Sequence, residues 1–250
     1  MKKSLGMKVM LGLMLSLMTS VSFATPVFED DFESGAGKWN NDKGWYEITT
    51  DNPHGGSHCL HQIGSDSHST YKPASVMQSI TPSLSIESAQ IDFWFRDVQL
   101  QSGGGDDGNV RVTLVNDTGD YIGKMQQCGD YTDGSAALNL NTSSDWIGSG
   151  LYLDSLNAGE WYRMTLNYQS GATSSLSMAV YNGIGTLLGS TNHSVSSDLG
   201  NLGGVWFIAG GQTDNLGQWY VDDVTVVPEP TAICLLGLGS LMLRRKCCVK

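Results

Sequence analysis

Short runs in which apolar and polar side chains alternate, each closed by turn residues, constrain this chain more than any other feature. Glu160-Trp161-Tyr162-Arg163-Met164-Thr165-Leu166-Asn167-Tyr168 alternates, breaks at Gln169-Ser170-Gly171-Ala172, and resumes as Leu176-Ser177-Met178-Ala179-Val180-Tyr181. A period of two sends successive side chains to opposite faces of an extended strand, so one face is buried and the other wetted. Further strand-like runs occur at 27–32, 45–49, 76–80, 90–98, 110–115, 121–125, 205–209 and 219–227. Between them stand turn chemistries: Asn52-Pro53-His54-Gly55-Gly56, the glycine-rich 103–109 stretch, Asn116-Asp117-Thr118-Gly119-Asp120, and Gly203-Gly204. No apolar stripe at helical spacing persists, and 31 glycines in 250 residues disfavour long helices. The pattern predicts an all-β, antiparallel two-sheet sandwich.

Both ends of the chain differ from this body. Met1-Lys2-Lys3 and Lys8 precede an apolar run from Val9 to Met18, followed by Ser22-Phe23-Ala24. This is the layout of an export signal with a small-residue cleavage site, so cleavage is expected after Ala24. At the other end, Val227-Pro228-Glu229-Pro230 leads into an apolar run from Thr231 to Leu243 and then Arg244-Arg245-Lys246. Thirteen residues at about 1.5 Å each reach roughly 20 Å, short of a hydrocarbon layer of about 30 Å. The organisation expected is therefore a signal peptide at 1–24, a sandwich domain at 25–226 and a sorting tail at 227–250 with a short transmembrane segment.

The tail resembles the PEP-CTERM sorting signal of bacteria that secrete exopolysaccharide. That resemblance implies that Pro228, Glu229, Pro230, Arg244 and Arg245 belong to a signal read by an exosortase-type membrane protease. It implies an exported protein at the cell surface or beyond it, touching membrane only through the tail.

The body carries seven Lys and Arg against 24 Asp and Glu, a net charge of −17. A field of that sign repels phosphate backbones, which argues against nucleic acid as a partner. Cys59 and Cys128 are the body's cysteines, and an exported pair can form a disulfide or remain two buried thiols.

The 159–181 segment, Ala89-Gln90-Ile91-Asp92-Phe93-Trp94-Phe95 and the closing Trp219-Tyr220-Val221-Asp222-Asp223-Val224-Thr225-Val226 are together similar to the concanavalin A-like, laminin-G-like jelly roll of exported carbohydrate-associated proteins. The galactose-binding jelly roll, with a comparable Asp-Phe-Glu opening and Asp-Asp-Val closing strand, is the other subtype in view. Terminal strands of jelly rolls run close together, and modules of this shape carry a structural calcium near the chain ends. That resemblance marks Asp31, Glu33, Asp222 and Asp223 as candidate calcium ligands, beside Glu29 and Asp30. Hard carboxylate oxygens suit Ca²⁺, although Asp222 and Asp223 reach one site only if a bulge breaks the alternation.

Catalytic signatures are sparse. Retaining glucanases on this fold need carboxylates at i and i+4 of one strand, whereas Asp92 has only Gln90 and Trp94 beside it on its own face. There is no Gly-x-Ser-x-Gly elbow and no His-Glu-x-x-His helix. The expectation is a non-catalytic module that binds extracellular polysaccharide or serves a structural role. The alternative is a polysaccharide lyase or hydrolase built around the His54 to His68 segment or Asp92. For sugar stacking, Trp39, Trp45, Trp146 and Tyr131 lie at turns among polar residues, while Trp94, Trp161, Trp206 and Trp219 read as core.

Overall fold

A computed structural model of the chain describes residues 25–40, 46–62, 69–73, 86–97, 109–127, 135–140, 147–152, 156–157, 159–210 and 219–229. Those residues form strands and turns without a helix. The strands are β1 (Phe28–Asp30), β2 (Trp39–Asn40), β3 (Tyr46–Thr49), β4 (Cys59–Gln62), β5 (Ser69–Pro73), β6 (Ser88–Asp97), β7 (Asn109–Asn116) and β8 (Tyr121–Gln127). They continue with β9 (Ser135–Leu140), β10 (Ile147–Tyr152), β11 (Trp161–Gln169), β12 (Ser174–Tyr181), β13 (Leu187–Val195), β14 (Leu202–Gly210) and β15 (Trp219–Pro228).

Two antiparallel sheets result. The first runs β13-β12-β11-β6-β15-β4-β3, with β1 also on β15, and the second runs β10-β9-β8-β7-β14-β5-β2. The two ends of the body meet as the sequence suggested, with Phe28 opposite Val226 and Asp30 opposite Val224. The first sheet does not stop at residue 226. Pro228 still pairs with Ala89, and Glu229 N donates to Ser88 O at 2.8 Å. Pro230, Arg244 and Arg245 lie outside the described residues, and among those described no helix is long and apolar enough to cross a membrane.

Alternation explains the layers. In β12 burial alternates strictly, with Leu176, Met178 and Val180 inside. In β6, Ala89, Ile91, Phe93 and Phe95 face inward while Gln90, Asp92 and Trp94 lie on the outer side. The sheets meet around Phe207 of β14. Its ring lies 5.1 Å from Phe93, 5.5 Å from Trp39 and 6.1 Å from Trp219, so it touches rings from β2, β6 and β15. Such pairs each contribute about 0.5–1.5 kcal/mol beyond burial of their area. Gly203 marks a close approach, because a Cβ there would collide with the carbonyl of Asn116 where β14 passes the β7–β8 turn.

Pattern alone misses β2, β4, β5, β9, β10 and β13. β13 is an edge strand whose residues are exposed or half-buried throughout, so no apolar alternation is imposed on it. The 76–80 run lies outside the described residues.

Truncating the shared ring tests this account. Phe207→Ala is expected to lower stability by about 3–5 kcal/mol in chemical denaturation. Ile184→Ala, at a hairpin tip 87% exposed, is expected to stay within about 0.5 kcal/mol of the parent.

Candidate functional site

The neighbour of β15 changes partway along its length, and the site is built at that change. Tyr220 and Val221 pair with β4, whereas Val224 to Val226 pair with β1. Between them the β6–β15 register shifts from Asp222 to Thr225, and Asp223 takes a left-handed φ of 48°. This bulge removes the alternation that would send Asp222 and Asp223 to opposite faces. Both carboxylates reach the segment from Asp51 to His58, which folds back over the outer side of the first sheet.

That segment is held by its backbone N–H groups. Asp222 Oδ2 accepts from His54 N at 2.9 Å and Gly55 N at 3.2 Å. Glu33 Oε1 accepts from Ser57 N at 2.6 Å and His58 N at 2.7 Å. Charge-assisted bonds of this kind are the stronger ones. The Ser57 N–H first, then His58, holds the Glu33 carboxyl below its usual range. Gly56 is required here, with φ +56° and no room for a Cβ against Glu33. Asn52 is left-handed as well, at φ 56°, and its carbonyl accepts from Arg96 Nη1 at 3.2 Å and Trp161 Nε1 at 3.1 Å.

Beneath the segment, five strands contribute one residue each to a transverse row. Glu47 pairs with His61, His61 with Tyr220, Tyr220 with Arg96, and Arg96 with Trp161. The row is stacked: His61 lies 4.4 Å from the Tyr220 ring at 9°, and the Arg96 guanidinium sits 4.3 Å over that ring. Tyr220 donates to Asp51 Oδ2 at 3.0 Å, and burial followed by the bond to Asp51 pushes its hydroxyl up to about 12.

His54 completes the site. Its ring stacks on Trp94 at 3.7 Å and 15°, and meets Trp161 edge-on at 5.7 Å. Its Nδ1 lies 2.7 Å from Asp223 Oδ2. An ionised carboxylate only accepts, so Nδ1 carries the proton and Asp223 fixes the orientation of the ring. The His54 side chain is 27% exposed. The arrangement offers one oriented imidazole beside two half-buried indole rings.

Trp39 is not a sugar platform: it is 6% exposed, packs against Phe28 and Phe207, and donates Nε1 to Asp30. The turn around it folds inward because β2 pairs with β5. Trp45, Trp146 and Tyr131 lie outside the described residues. Trp94 and Trp161, read as core, instead lie half-buried on the outer face, while Trp219 is core.

The four proposed calcium ligands do not gather as one ligand set. Glu33 and Asp222 spend their oxygens on N–H donors, Asp223 holds His54, and Asp31 accepts from Glu33 N at 3.2 Å. The nearby carboxylate Asp30 already faces a cation, because Lys38 Nζ lies 3.4 Å from it and 2.7 Å from Glu29 O. Among the described residues no three His, Cys, Asp or Glu side chains are placed to hold a metal ion. The histidines likewise separate, each to its own carboxylate: His54 to Asp223, His58 to Glu33, His61 to Glu47. Cys59 is a buried free thiol, pushed up to about 12 by burial and then by the Asp222 carboxylate, and Cys128 lies outside the described residues.

No family model matches the sequence, and no curated protein is similar to it at a significant level. Solved structures are similar in fold. A sialidase aligns with TM-score 0.50 and 13% identity over 84% of this chain, which spans only 19% of that protein. A carbohydrate esterase from Shiga toxin-encoding bacteriophage phi24B aligns at 0.53 and 12% identity, over 83% of this chain and 100% of the other. Lectin I-B4 from Griffonia simplicifolia aligns at 0.50 and 11% identity, over 80% and 97%. The chain therefore has the lectin-like jelly-roll fold.

Asp222 supplies a test of the site's electrostatics. Burial raises its carboxyl to about 6, despite the N–H donors from Gly55 and His54 that oppose the shift. A carboxyl raised on folding stabilises when protonated, and that contribution is lost as pH rises through the folded value. Relative to the parent, Asp222→Asn is expected to gain up to about 3 kcal/mol between about pH 4 and pH 7, then level off. Thermal denaturation of both proteins across that range reads the difference directly, and a pH-independent gap would contradict it.

Proposed function

We propose that this chain is an exported, non-catalytic module that binds extracellular carbohydrate through the face formed by His54, Trp94 and Trp161. The observation that carries the reading is the half-buried His54 ring, fixed by Asp223 on one edge and by Trp94 on one face, beside Trp161. Sugar hydroxyls hydrogen-bond to an oriented imidazole, and aromatic rings take the apolar CH face of a pyranose. The lectin-like fold supports this class of ligand, as do the export signal and sorting tail read from the ends. On that reading the partners are an extracellular polysaccharide and an exosortase-type protease.

The same pair favours a second reading. A carboxylate-oriented imidazole is how a general base is presented, so a polysaccharide lyase or hydrolase would use His54. Binding is preferred because the other candidate, Asp92, is fully engaged. It accepts from Arg163 Nε at 3.1 Å, Arg163 Nη2 at 2.8 Å and Thr165 Oγ1 at 2.5 Å, and also from Gln90. Asp92 is thus not free to serve as its acid.

Retention of the mature protein on a polysaccharide panel is expected to fall at least about tenfold in His54→Ala and Trp161→Ala, with melting temperature followed as a control for folding. Release of reducing ends or unsaturated uronates by the parent, abolished in His54→Ala, would instead establish the catalytic reading. Mass spectrometry of the exported protein is expected to begin at Thr25. Replacing Pro228-Glu229-Pro230 by alanines is expected to stop its display at the surface.

A further inference from the structure

The row of paired residues that holds Trp94 continues from the His54 stack toward the far strands of the first sheet. Trp94 pairs with Arg163, Arg163 with Tyr181, and Tyr181 with Leu187. Tyr162, Met164 and Val180 are buried in the core, so alternation sends Arg163 and Tyr181 to the outer side that carries Trp94. The Tyr181 ring is half-buried and lies 5.8 Å beneath the Arg163 guanidinium. Among the described residues no hydrogen bond holds its hydroxyl. Leu187, next to it on the edge strand, is 51% exposed.

The ground beside this row is uncharged. From Met164 to Ser197, a stretch that includes all of β12 and β13, the sequence has no Asp, Glu, Lys or Arg. On the outer side Ala179 pairs with Ser190 and Ser177 with Asn192, which puts small, hydroxyl and amide side chains next to Tyr181. Ser190 and Asn192 are exposed. Arg163 is neutralised in place, because its Nε and Nη2 both donate to Asp92 Oδ1. That leaves Nη1 for another acceptor on a side chain 43% exposed. Arg96, the other Lys or Arg in a strand of this sheet, is buried and already engaged with Tyr220 and the Asn52 carbonyl.

We infer that the ligand of this face is an uncharged polysaccharide lying across the strands, from His54 and Trp94 to Tyr181, whose ring takes a second sugar. This rests on the carbohydrate reading above and adds to it one binding residue and a class of polymer. The span sets the size. Trp94 and Tyr181 stand two interstrand steps apart, about 10 Å, so their rings meet different sugars of one chain. A tyrosine supplies a flat apolar surface at little cost in side-chain freedom, with a hydroxyl at its tip. That hydroxyl and Arg163 Nη1 are the polar groups that orient the sugars between the rings. Charge sets the class. A body of net charge −17 repels a polyanion, and both cations in the strands of this sheet are committed to partners within the protein.

The experiment compares the mature protein with Tyr181→Ala, His54→Ala and Ile184→Ala. Ile184 lies on the turn after Tyr181 and is 87% exposed, so its truncation controls for a general apolar effect of the hairpin. Affinity electrophoresis in gels containing hydroxyethyl cellulose, galactomannan, dextran or polygalacturonate reads retention, and melting temperatures confirm folding. Retention by at least one of the neutral polymers is expected, and it should change less than about twofold between about 50 and 300 mM salt. It should weaken at least about tenfold in Tyr181→Ala and less than about twofold in Ile184→Ala. Retention by polygalacturonate alone, or equal loss in Tyr181→Ala and Ile184→Ala, would overturn the inference. Neutral retention that falls in His54→Ala but not in Tyr181→Ala would overturn it too, while leaving the carbohydrate reading standing. Retention by none of the polymers would end both. Sedimentation velocity tests the other occupant: a dimer of the parent that Tyr181→Ala dissociates would assign the face to a second copy of the chain and overturn the inference. Should Tyr181→Ala fail to fold, Tyr181→Leu, which keeps the bulk and removes the ring, replaces it under the same criteria.

Discussion

Carboxylate oxygens meeting backbone N–H groups at one interruption of a strand organise the outer face of the first sheet. Where β15 exchanges β4 for β1 as its neighbour, the ladder would otherwise leave a gap, and residues 51–58 fill it. Asp222 and Glu33 take four N–H donors of that segment between them. Only because the segment is fixed does His54 lie on Trp94, and only because Asn52 is turned to a left-handed conformation does its carbonyl meet both Arg96 and Trp161. The left-handed residues Phe32, Asn52 and Asp223 all flank this spot. Local strain gathered around one constellation is the pattern of a site that the surrounding bonds hold in place.

Much of the architecture was legible in the sequence because burial imposes a period of two wherever one face of a strand is packed. β6, β11, β12 and β15 were each found within a few residues of their observed bounds. Two of the strands the sequence left dark follow from the same rule. β13 lies at an edge and packs little, so its Leu-Leu-Gly-Ser-Thr-Asn-His-Ser-Val carries no alternation to read. β2 is two residues long, too short for any period.

Site residues were harder, for a reason visible in the tryptophans. An indole in an alternating run looks like core whichever face it takes, because both faces of β6 carry large rings: Phe93 and Phe95 inside, Trp94 outside. Trp39, set among polar turn residues, looked exposed but is drawn inward by its bond to Asp30 and its contact with Phe207. The acidic ends were correctly brought together, and the bulge needed to aim Asp222 and Asp223 the same way is present. Their target, however, is the amide backbone of a segment more than 160 residues away in sequence, a pairing no local pattern announces.

All the acidic residues that fall within strands belong to the sheet that contains both terminal strands. Val27 enters along β15 and Glu229 leaves beside Ser88, so both ends of the body emerge from that sheet. Anything fastened beyond Glu229 therefore grips the molecule by the sheet that also carries His54 and its aromatic neighbours.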